Sequence, residues 1–207
     1  MRISHEYNFL SISIQKTGTK TIRDTLDQID NVILSNVDPK SPYYQHVTAQ
    51  RLKEEFDDKG WVWDDYFKFT FVRNPWAREV SMYSYKQKMA HEWKHGLAKF
   101  SKKIPTDLIQ GKNCNEFIKK HPTLKDAIMK THITSQYDFI YDKNGKQLID
   151  FIGKLENLQE DFNTICDKIG IPKQKLPHRN KTKHKHYTEY YDDETRSIVA
   201  EKYAKDI

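Results

Sequence analysis

Residues 10–21 constrain the fold more than any other part of the chain. Apolar and polar residues alternate up to Ile14, as in a half-buried strand, and from Ile22 the apolar spacing becomes helical. A short turn of lysine, threonine and glycine separates the two patterns. Gly18 lets the backbone approach a ligand closely, and the amides that open a helix favour an anion. The stretch therefore predicts a phosphate-type oxyanion cradle between a strand and a helix.

The turn differs from a Walker A loop. That loop has a glycine separated by four residues from its Gly-Lys-Ser/Thr end. Ser13 stands at the place of the first glycine here, and Thr19 intervenes between Gly18 and Lys20. ATP and magnesium are therefore not the expected ligands. From this loop alone, an ordinary strand-to-helix turn with lysines in solvent remains an alternative.

A second strand-to-helix junction follows later in the chain. Residues 67–72 alternate as a strand, and Asn74 and Pro75 are typical of the N-cap and first position of a helix. Arg73 lies at the end of the strand, and Ser81 lies two turns into the helix. Because ligands bind at this edge of an open parallel sheet, two such strand ends predict a ligand with two anionic groups.

Residues 15–21 and 71–83 together resemble the paired signature of the sulfotransferases, in the branch of the Golgi carbohydrate sulfotransferases and their bacterial relatives. The resemblance implies 3′-phosphoadenosine 5′-phosphosulfate (PAPS) as sulfuryl donor and no metal. It assigns the 3′-phosphate to Arg73 and Ser81. It assigns the 5′ end to Lys16, Thr17, Gly18, Thr19, Lys20 and Thr21.

The resemblance also has departures and a third element. Gln15 replaces the proline common before the lysine, and Lys20 replaces a frequent threonine. Neither change removes the anion-binding chemistry. The family closes a basic C-terminal loop over the nucleotide, and the corresponding candidates here are Asn180, Lys181, Thr182 and Lys183, after Arg179.

His46 is the predicted catalytic base. It follows a loop broken by two prolines and precedes a helix predicted to begin near Thr48. Transfer of a sulfuryl group to a hydroxyl needs a group that takes the hydroxyl proton, and imidazole titrates near working pH. Residues 44–48 resemble the histidine version of the family's base, while Lys16 is expected to neutralise developing charge. A surface or capping histidine is the alternative.

Later segments yield further expectations. Residues 32–34 predict a buried parallel strand, and residues 139–141 and 148–152 predict a hairpin around an Asn-Gly turn. Gln136 lies in a segment that resembles the family's acceptor side. Glu156 is an alternative base, although we expect it to orient a neighbour or cap the next helix.

Composition limits the class of protein. The chain has 207 residues and a net charge of +6, which suits one domain over residues 1–207 and a polyanionic ligand. No recognisable nucleic-acid module, membrane-spanning run or signal peptide is present, so we expect a cytoplasmic protein. Cys114 and Cys166 lack the spacing of a zinc site or disulfide framework. The histidines of residues 178–186 alternate with lysines that repel a cation, and we predict no metal there. Nothing in the sequence indicates the oligomeric state.

These features predict an α/β protein with a mostly parallel sheet flanked by helices, in a P-loop-like sulfotransferase fold. The predicted function is PAPS-dependent sulfuryl transfer to a hydroxyl acceptor, expected to be a carbohydrate. One alternative is a P-loop-like nucleotide kinase or NTPase. The other is a non-catalytic basic module that binds polyanions.

Overall fold

The computed structural model describes residues 1–96, 106–130, 133–177 and 185–207, without the side chains of 106–109. It divides into two compact units. The first comprises Met1–Arg73, Thr134–Asn180 and Asp206, and the second comprises Asn74–Ile133, Lys181–Lys205 and Ile207. That residues 1–207 form a single domain stays a prediction.

A five-stranded sheet forms the centre of the first unit. In chain order its strands are β1 (Arg2–Ser4), β2 (Phe9–Ile12), β3 (Val32–Leu34), β4 (Phe67–Val72) and β5 (Phe151–Lys154). The spatial order is β3-β1-β2-β4-β5, with β2, β4 and β5 parallel and β1 antiparallel to both of its neighbours. Only β1 runs against the other strands, so the predicted α/β fold with a mostly parallel sheet is confirmed.

Helices occur in both units. The α-helices are α1 (Thr19–Leu26), α2 (Ala49–Lys59), α3 (Pro75–Lys94), α4 (Thr106–Lys120), α5 (Leu124–Lys130), α6 (Tyr137–Ile140), α7 (Leu158–Ile169) and α8 (Asp193–Lys202). Short 3₁₀ helices cover Trp63–Asp65, Leu155–Asn157, Tyr187–Tyr190 and Ala204–Asp206.

Helix starts follow local chemistry. The Asn74 side chain caps α3 by accepting from the Ala77 amide over 3.1 Å, and Pro75 is the first helical residue, as predicted. Thr48 caps α2 by accepting from the Arg51 amide, which confirms the predicted helix start. Both junctions are therefore set by residues that stand next to predicted site residues.

The two faces of the sheet are covered by different helices. On one face Leu10 and Ile12 of β2 belong to a buried cluster with Leu52 and Phe56 of α2. On the other face Phe9, Phe69 and Phe71 belong to a cluster that includes Ile22, Leu26, Phe162 and Ile165 of α1 and α7. The alternation along β2 and β4 thus places successive side chains in separate cores, which fixes the register of these strands.

The prediction for residues 32–34 was wrong in its pairing, and the predicted hairpin is present only in part. Val32–Leu34 is a strand, but it pairs antiparallel with β1 at the sheet edge, and Leu34 is 56% exposed. The predicted hairpin keeps its turn, in which the Gly145 amide donates to the Asp142 carbonyl over 3.0 Å. Tyr141 and Gln147 form an isolated antiparallel bridge across the turn, so the hairpin is confirmed over one residue pair. Residues 139 and 140 belong instead to helix α6, and residues 151–154 form β5, which pairs in parallel with the buried strand β4.

The second unit packs its helices around a separate apolar cluster. Val80 and Tyr83 of α3 lie with Ile128 of α5 and Val199 of α8 among its buried members. Tyr203 is a member of this cluster, and its hydroxyl donates a buried hydrogen bond to the Glu79 carboxylate. Within the part of the chain that the structure describes, none of the helices has the length and apolar character needed to cross a bilayer.

Candidate anion-binding site

The loop between β2 and α1 is held by its own side chains. The hydroxyls of Thr17 and Thr19 both donate to the Ile14 carbonyl, over 2.9 and 3.1 Å. Lys16 has a φ of 69°, a left-handed conformation that is uncommon for a residue with a side chain. Strained backbone of this kind persists where surrounding structure holds it, often at functional sites. The loop is therefore a fixed turn rather than a simple connection.

Gly18 is the residue that the loop geometry requires most strictly. Its φ is 80°, and a Cβ built on it would lie 2.8 Å from Cδ1 of Leu155. Gly18 is also the N-cap of α1 and has no side chain to accept from the first-turn amides. Those amides and the helix dipole together favour an anion at this position. The loop is a strand-to-helix turn with an uncapped helix start, as the sequence predicts, and its role as an oxyanion cradle stays a prediction.

The remaining loop residues differ in exposure. Lys16 is half-buried and Lys20 is exposed, whereas the Thr17 side chain is fully buried. The Thr17 hydroxyl is bonded to the Ile14 carbonyl, and the residue as a whole, backbone included, is 0% exposed. Thr21 is buried, and its hydroxyl donates to the Pro177 carbonyl over 3.4 Å. The assignment of these residues to a cofactor stays a prediction.

Arg73 brings the second motif to the same loop. β4 lies beside β2 in the sheet and ends at Val72, so Arg73 follows at the same edge as the loop. Its Nη1 donates to the Lys16 carbonyl over 3.4 Å. Burial lowers the pKa of Arg73, while the nearby charge of Glu156 acts in the opposite direction. An arginine remains charged at neutral pH, and a cation partly removed from water attracts an anion more strongly.

Ser81 lies in the second unit. It is 8% exposed and sits on α3, in the second turn after Pro75, as predicted. Its contact with the 3′-phosphate stays a prediction.

His46 contacts the strand end that precedes the loop. Its Nδ1 lies 2.8 Å from the Ser13 carbonyl oxygen. Since a carbonyl oxygen only accepts, Nδ1 is assigned the proton, and Nε2 is the basic nitrogen of the neutral ring. The Tyr44 ring lies edge-on to His46, with 5.8 Å between ring centroids. The predicted position of His46 at a loop-helix junction is confirmed, and its role as base stays a prediction.

Gln45, the residue before His46, is held in place by hydrogen bonds. Gln45 accepts from Arg23 Nη1 over 2.9 Å, and its backbone carbonyl accepts from the Met1 amino group over 3.0 Å. Burial lowers the pKa of Arg23. These contacts tie the residue before His46 to α1, the helix that the anion cradle opens.

Some predicted site residues remain without a described position. Asn180, Lys181, Thr182 and Lys183 lie outside the described residues. Among the residues that are described, no group of three or more histidine, cysteine or acidic side chains is arranged to hold a metal ion. Gln136, predicted to lie on the acceptor side, bonds the Arg73 backbone through both ends of its side-chain amide.

The first unit therefore defines a class of protein: an α/β fold in which neighbouring parallel strands end in a Gly/Lys/Thr cradle and an arginine. The model of the sulfotransferase family matches residues 1–207. The chain belongs to the sulfotransferase family, whose members transfer sulfuryl groups.

Individual relatives agree with this membership. An uncharacterised protein of Archaeoglobus fulgidus is 32% identical over 113 residues, which cover 55% of this chain and 75% of that protein. Human carbohydrate sulfotransferase 9 is 27% identical over 227 aligned residues, which cover 99% of this chain. The alignment spans 47% of the human protein, about half its length. No solved structure matches the chain.

Proposed function

We propose that this protein is a PAPS-dependent sulfotransferase that transfers a sulfuryl group to a hydroxyl, with a carbohydrate as the acceptor. The observation that carries the proposal is the contact between Arg73 and the Lys16 carbonyl. It brings two cationic motifs, distant in sequence, to one edge of the sheet. A ligand with two anionic groups suits this arrangement better than a single phosphate does.

The residues at the edge fit such a donor. Gly18 packs closely against Leu155, where a side chain would clash, and as N-cap of α1 it leaves the first-turn amides without a capping side chain. Lys16 adds positive charge at the cradle, and Arg73 adds a second, half-buried cation. Gly18 and Lys16 would hold the phosphosulfate, and Arg73 would hold the 3′-phosphate. The bound donor would supply an activated sulfuryl group.

The chain's own residues divide the remaining chemistry. His46 Nε2 would accept the proton of the acceptor hydroxyl, because Nδ1 is engaged with Ser13. Lys16 and the first-turn amides of α1 would stabilise negative charge on the leaving phosphate. Arg73 would bind away from the reacting atoms, so that its binding energy aligns them. The acceptor oxygen would form its bond to sulfur as the sulfur–oxygen bond to the 5′-phosphate breaks. The hydroxyl proton would go to His46, and 3′-phosphoadenosine 5′-phosphate would leave.

The acceptor is argued from resemblance. The human relative is named a carbohydrate sulfotransferase, and a carbohydrate supplies the hydroxyl that the proposed base requires. The net charge of +6 favours an acidic glycan over a neutral one through long-range attraction. The cytoplasmic location expected from the sequence stays a prediction.

Calorimetric titration tests the donor site directly. The full chain is titrated with 3′-phosphoadenosine 5′-phosphate, and separately with ADP with and without magnesium. We expect tight, metal-independent binding of the first nucleotide and weak binding of ADP. Preference for ADP with magnesium would support a kinase or NTPase instead. Binding that ignores the 3′-phosphate and collapses with salt would indicate a general polyanion module, because counterion release makes such binding salt-dependent.

A transfer assay then tests the acceptor. Radiolabelled PAPS is incubated with the protein and with acidic oligosaccharides, neutral oligosaccharides and a simple phenol. Label on the oligosaccharides supports the proposed acceptor class. Label on the phenol alone would retain the sulfotransferase and replace its acceptor.

A further inference from the structure

The backbone of Arg73 is held by the side chain of Gln136, which uses both ends of its amide group for hydrogen bonds. The Arg73 amide donates to Oε1 of Gln136 over 2.9 Å, and Nε2 of Gln136 donates to the Arg73 carbonyl over 2.8 Å. β4 ends at Val72, so the sheet ladder no longer pairs these backbone groups. The amide of Gln136 takes the place of a neighbouring strand for one residue.

Gln136 is itself fixed from a third segment of the first unit. Its side chain is buried, with 3% of the residue exposed. Its backbone amide donates to Oδ2 of Asp206 over 2.9 Å. The same carboxylate accepts from the Tyr137 amide over 3.0 Å and from the Ser135 hydroxyl. Asp206 thus holds the start of α6, from which Gln136 reaches Arg73.

We propose that Gln136 is a positioning residue, which fixes the Arg73 backbone so that the guanidinium stays at the Lys16 loop and selects nucleotides with a 3′-phosphate. The proposal rests on the proposed function. A freely rotating arginine would bind many anions in many geometries, whereas a fixed one favours a phosphate at one place. Gln136 would touch neither nucleotide nor acceptor and would act only through Arg73.

The chemistry of Gln136 restricts what can replace it. Glutamate keeps the acceptor for the Arg73 amide but faces the Arg73 carbonyl with a second acceptor. Methionine has a similar length and leaves both part-buried backbone groups without their partner, which costs stability as well as order. Gln136→Glu and Gln136→Met therefore remove one and two of the contacts with little change in shape.

The test is a double-mutant cycle read by nucleotide selectivity. Wild type, Gln136→Met, Arg73→Ala and the double variant are titrated with 3′-phosphoadenosine 5′-phosphate and with AMP, which lacks the 3′-phosphate. We expect Gln136→Met to weaken binding of the bisphosphate by about tenfold, as for one lost charged-group contact. The affinity for AMP should change by less than about twofold, which is the deviation usual for mutations that do not interact with the site measured. In the Arg73→Ala background, Gln136→Met should cause no further loss.

Several results would overturn the proposal. Equal weakening of both nucleotides would show general damage to the loop, and losses that add in the double variant would show that Gln136 acts independently of Arg73. Unchanged selectivity in Gln136→Met, beside a selective wild type, would remove only this inference. A wild type without preference for the bisphosphate would overturn the proposed function itself. If Gln136→Met fails to fold, Gln136→Glu should also show a selective loss, because its carboxylate opposes the Arg73 carbonyl, and a Glu variant of unchanged selectivity contradicts the proposal.

Discussion

Arg73 Nη1 donates a hydrogen bond to the backbone carbonyl of Lys16 over 3.4 Å, across 57 residues of sequence. The contact joins the ends of two adjacent parallel strands, β2 and β4. It also links the side chain of one predicted anion ligand to the backbone of the other. Occupancy of the cradle and placement of the arginine are therefore physically connected, and a change in either residue is expected to alter the other.

Replacement of Lys16 by alanine should abolish sulfuryl transfer. The loss is expected to reach about a hundredfold or more, the usual effect of removing a charge-stabilising group from an active site. Lysine and alanine carry a similar penalty at the left-handed φ of 69°, so the backbone strain largely cancels. The measurement is the initial rate of sulfate transfer from PAPS. Lys143→Ala, which removes an exposed lysine on the Asn-Gly turn, is the matched control and should keep the wild-type rate.

Near-normal transfer by Lys16→Ala would contradict the assignment of the cradle. A comparable loss in Lys143→Ala would instead point to net charge as the cause.

Gly18→Ala should damage nucleotide binding more than its effect on stability explains. The new Cβ would meet Leu155 at 2.8 Å, and the φ of 80° adds about 1 kcal/mol of strain. Relief of the clash shifts the loop and the first-turn amides of α1. Gly60→Ala is the matched control, because its φ is 70° and nothing lies within 4 Å of the added Cβ. Urea denaturation and calorimetric titration with 3′-phosphoadenosine 5′-phosphate measure the two effects.

The expected pattern is a similar strain cost in both variants and a loss of nucleotide affinity in Gly18→Ala alone. Gly18→Ala with wild-type affinity would show that the cradle does not contact the nucleotide.

Local sequence signals predicted β4 and α3 well and the sheet edges poorly. Residues 67–72 alternate over a long strand and meet an N-cap at Asn74, so both elements are specified by neighbours in sequence. β1 is only three residues long and gives a weak sequence signal, so nothing local distinguishes the antiparallel edge strand Val32–Leu34 from a buried parallel strand. The Asn-Gly turn showed a chain reversal correctly. It carried no information on the parallel pairing of β5 with β4, which depends on distant residues.

The candidate site shows the same division. The positions of Lys16, Gly18 and Arg73 at neighbouring strand ends could be predicted from local patterns, and their binding roles stay predictions. Gln136 could not be assigned to Arg73, 63 residues away, since an amide side chain can pair with almost any polar group. The orientation of the His46 ring could not be predicted from the sequence either, because it depends on a hydrogen bond to the distant Ser13 carbonyl.

His46→Ala should lower kcat by about a hundredfold or more, in the range usual for a general base. Affinity for 3′-phosphoadenosine 5′-phosphate should stay within about twofold of wild type, since the proposed base contacts the acceptor. His46→Asn is the sharper variant, because its side-chain amide can donate to the Ser13 carbonyl without supplying a base. Steady-state transfer rates and calorimetric titration separate the two properties.

His5→Ala serves as a histidine control, because the His5 ring contacts Tyr66 and Trp61 rather than the strand end at Ser13. It should keep wild-type kcat. Full activity in His46→Asn would move the base to another residue, with Glu156 as the next candidate.

Glu79 should make the protein less stable as pH rises. Burial raises the pKa of its carboxyl more than the Tyr203 hydrogen bond and the charges of Lys202, Arg78 and Lys86 lower it. Between the unfolded and the raised folded pKa, the folded state binds more protons than the unfolded state, so the free energy of unfolding falls with pH. The contribution of the protonated Glu79 carboxyl to the free energy of unfolding is fully present below the unfolded pKa, about 4.3. It is lost as pH rises through the folded pKa.

Glu79→Gln removes this titration. The free energy of unfolding of wild type minus that of the variant should therefore decrease as pH rises from about 4 to about 7. Urea denaturation at a series of pH values measures the difference. Glu201→Gln, on the exposed face of α8, controls for the loss of one negative charge. A difference that instead increases with pH would show that Tyr203 and the neighbouring cations stabilise the ionised carboxylate more than burial opposes it.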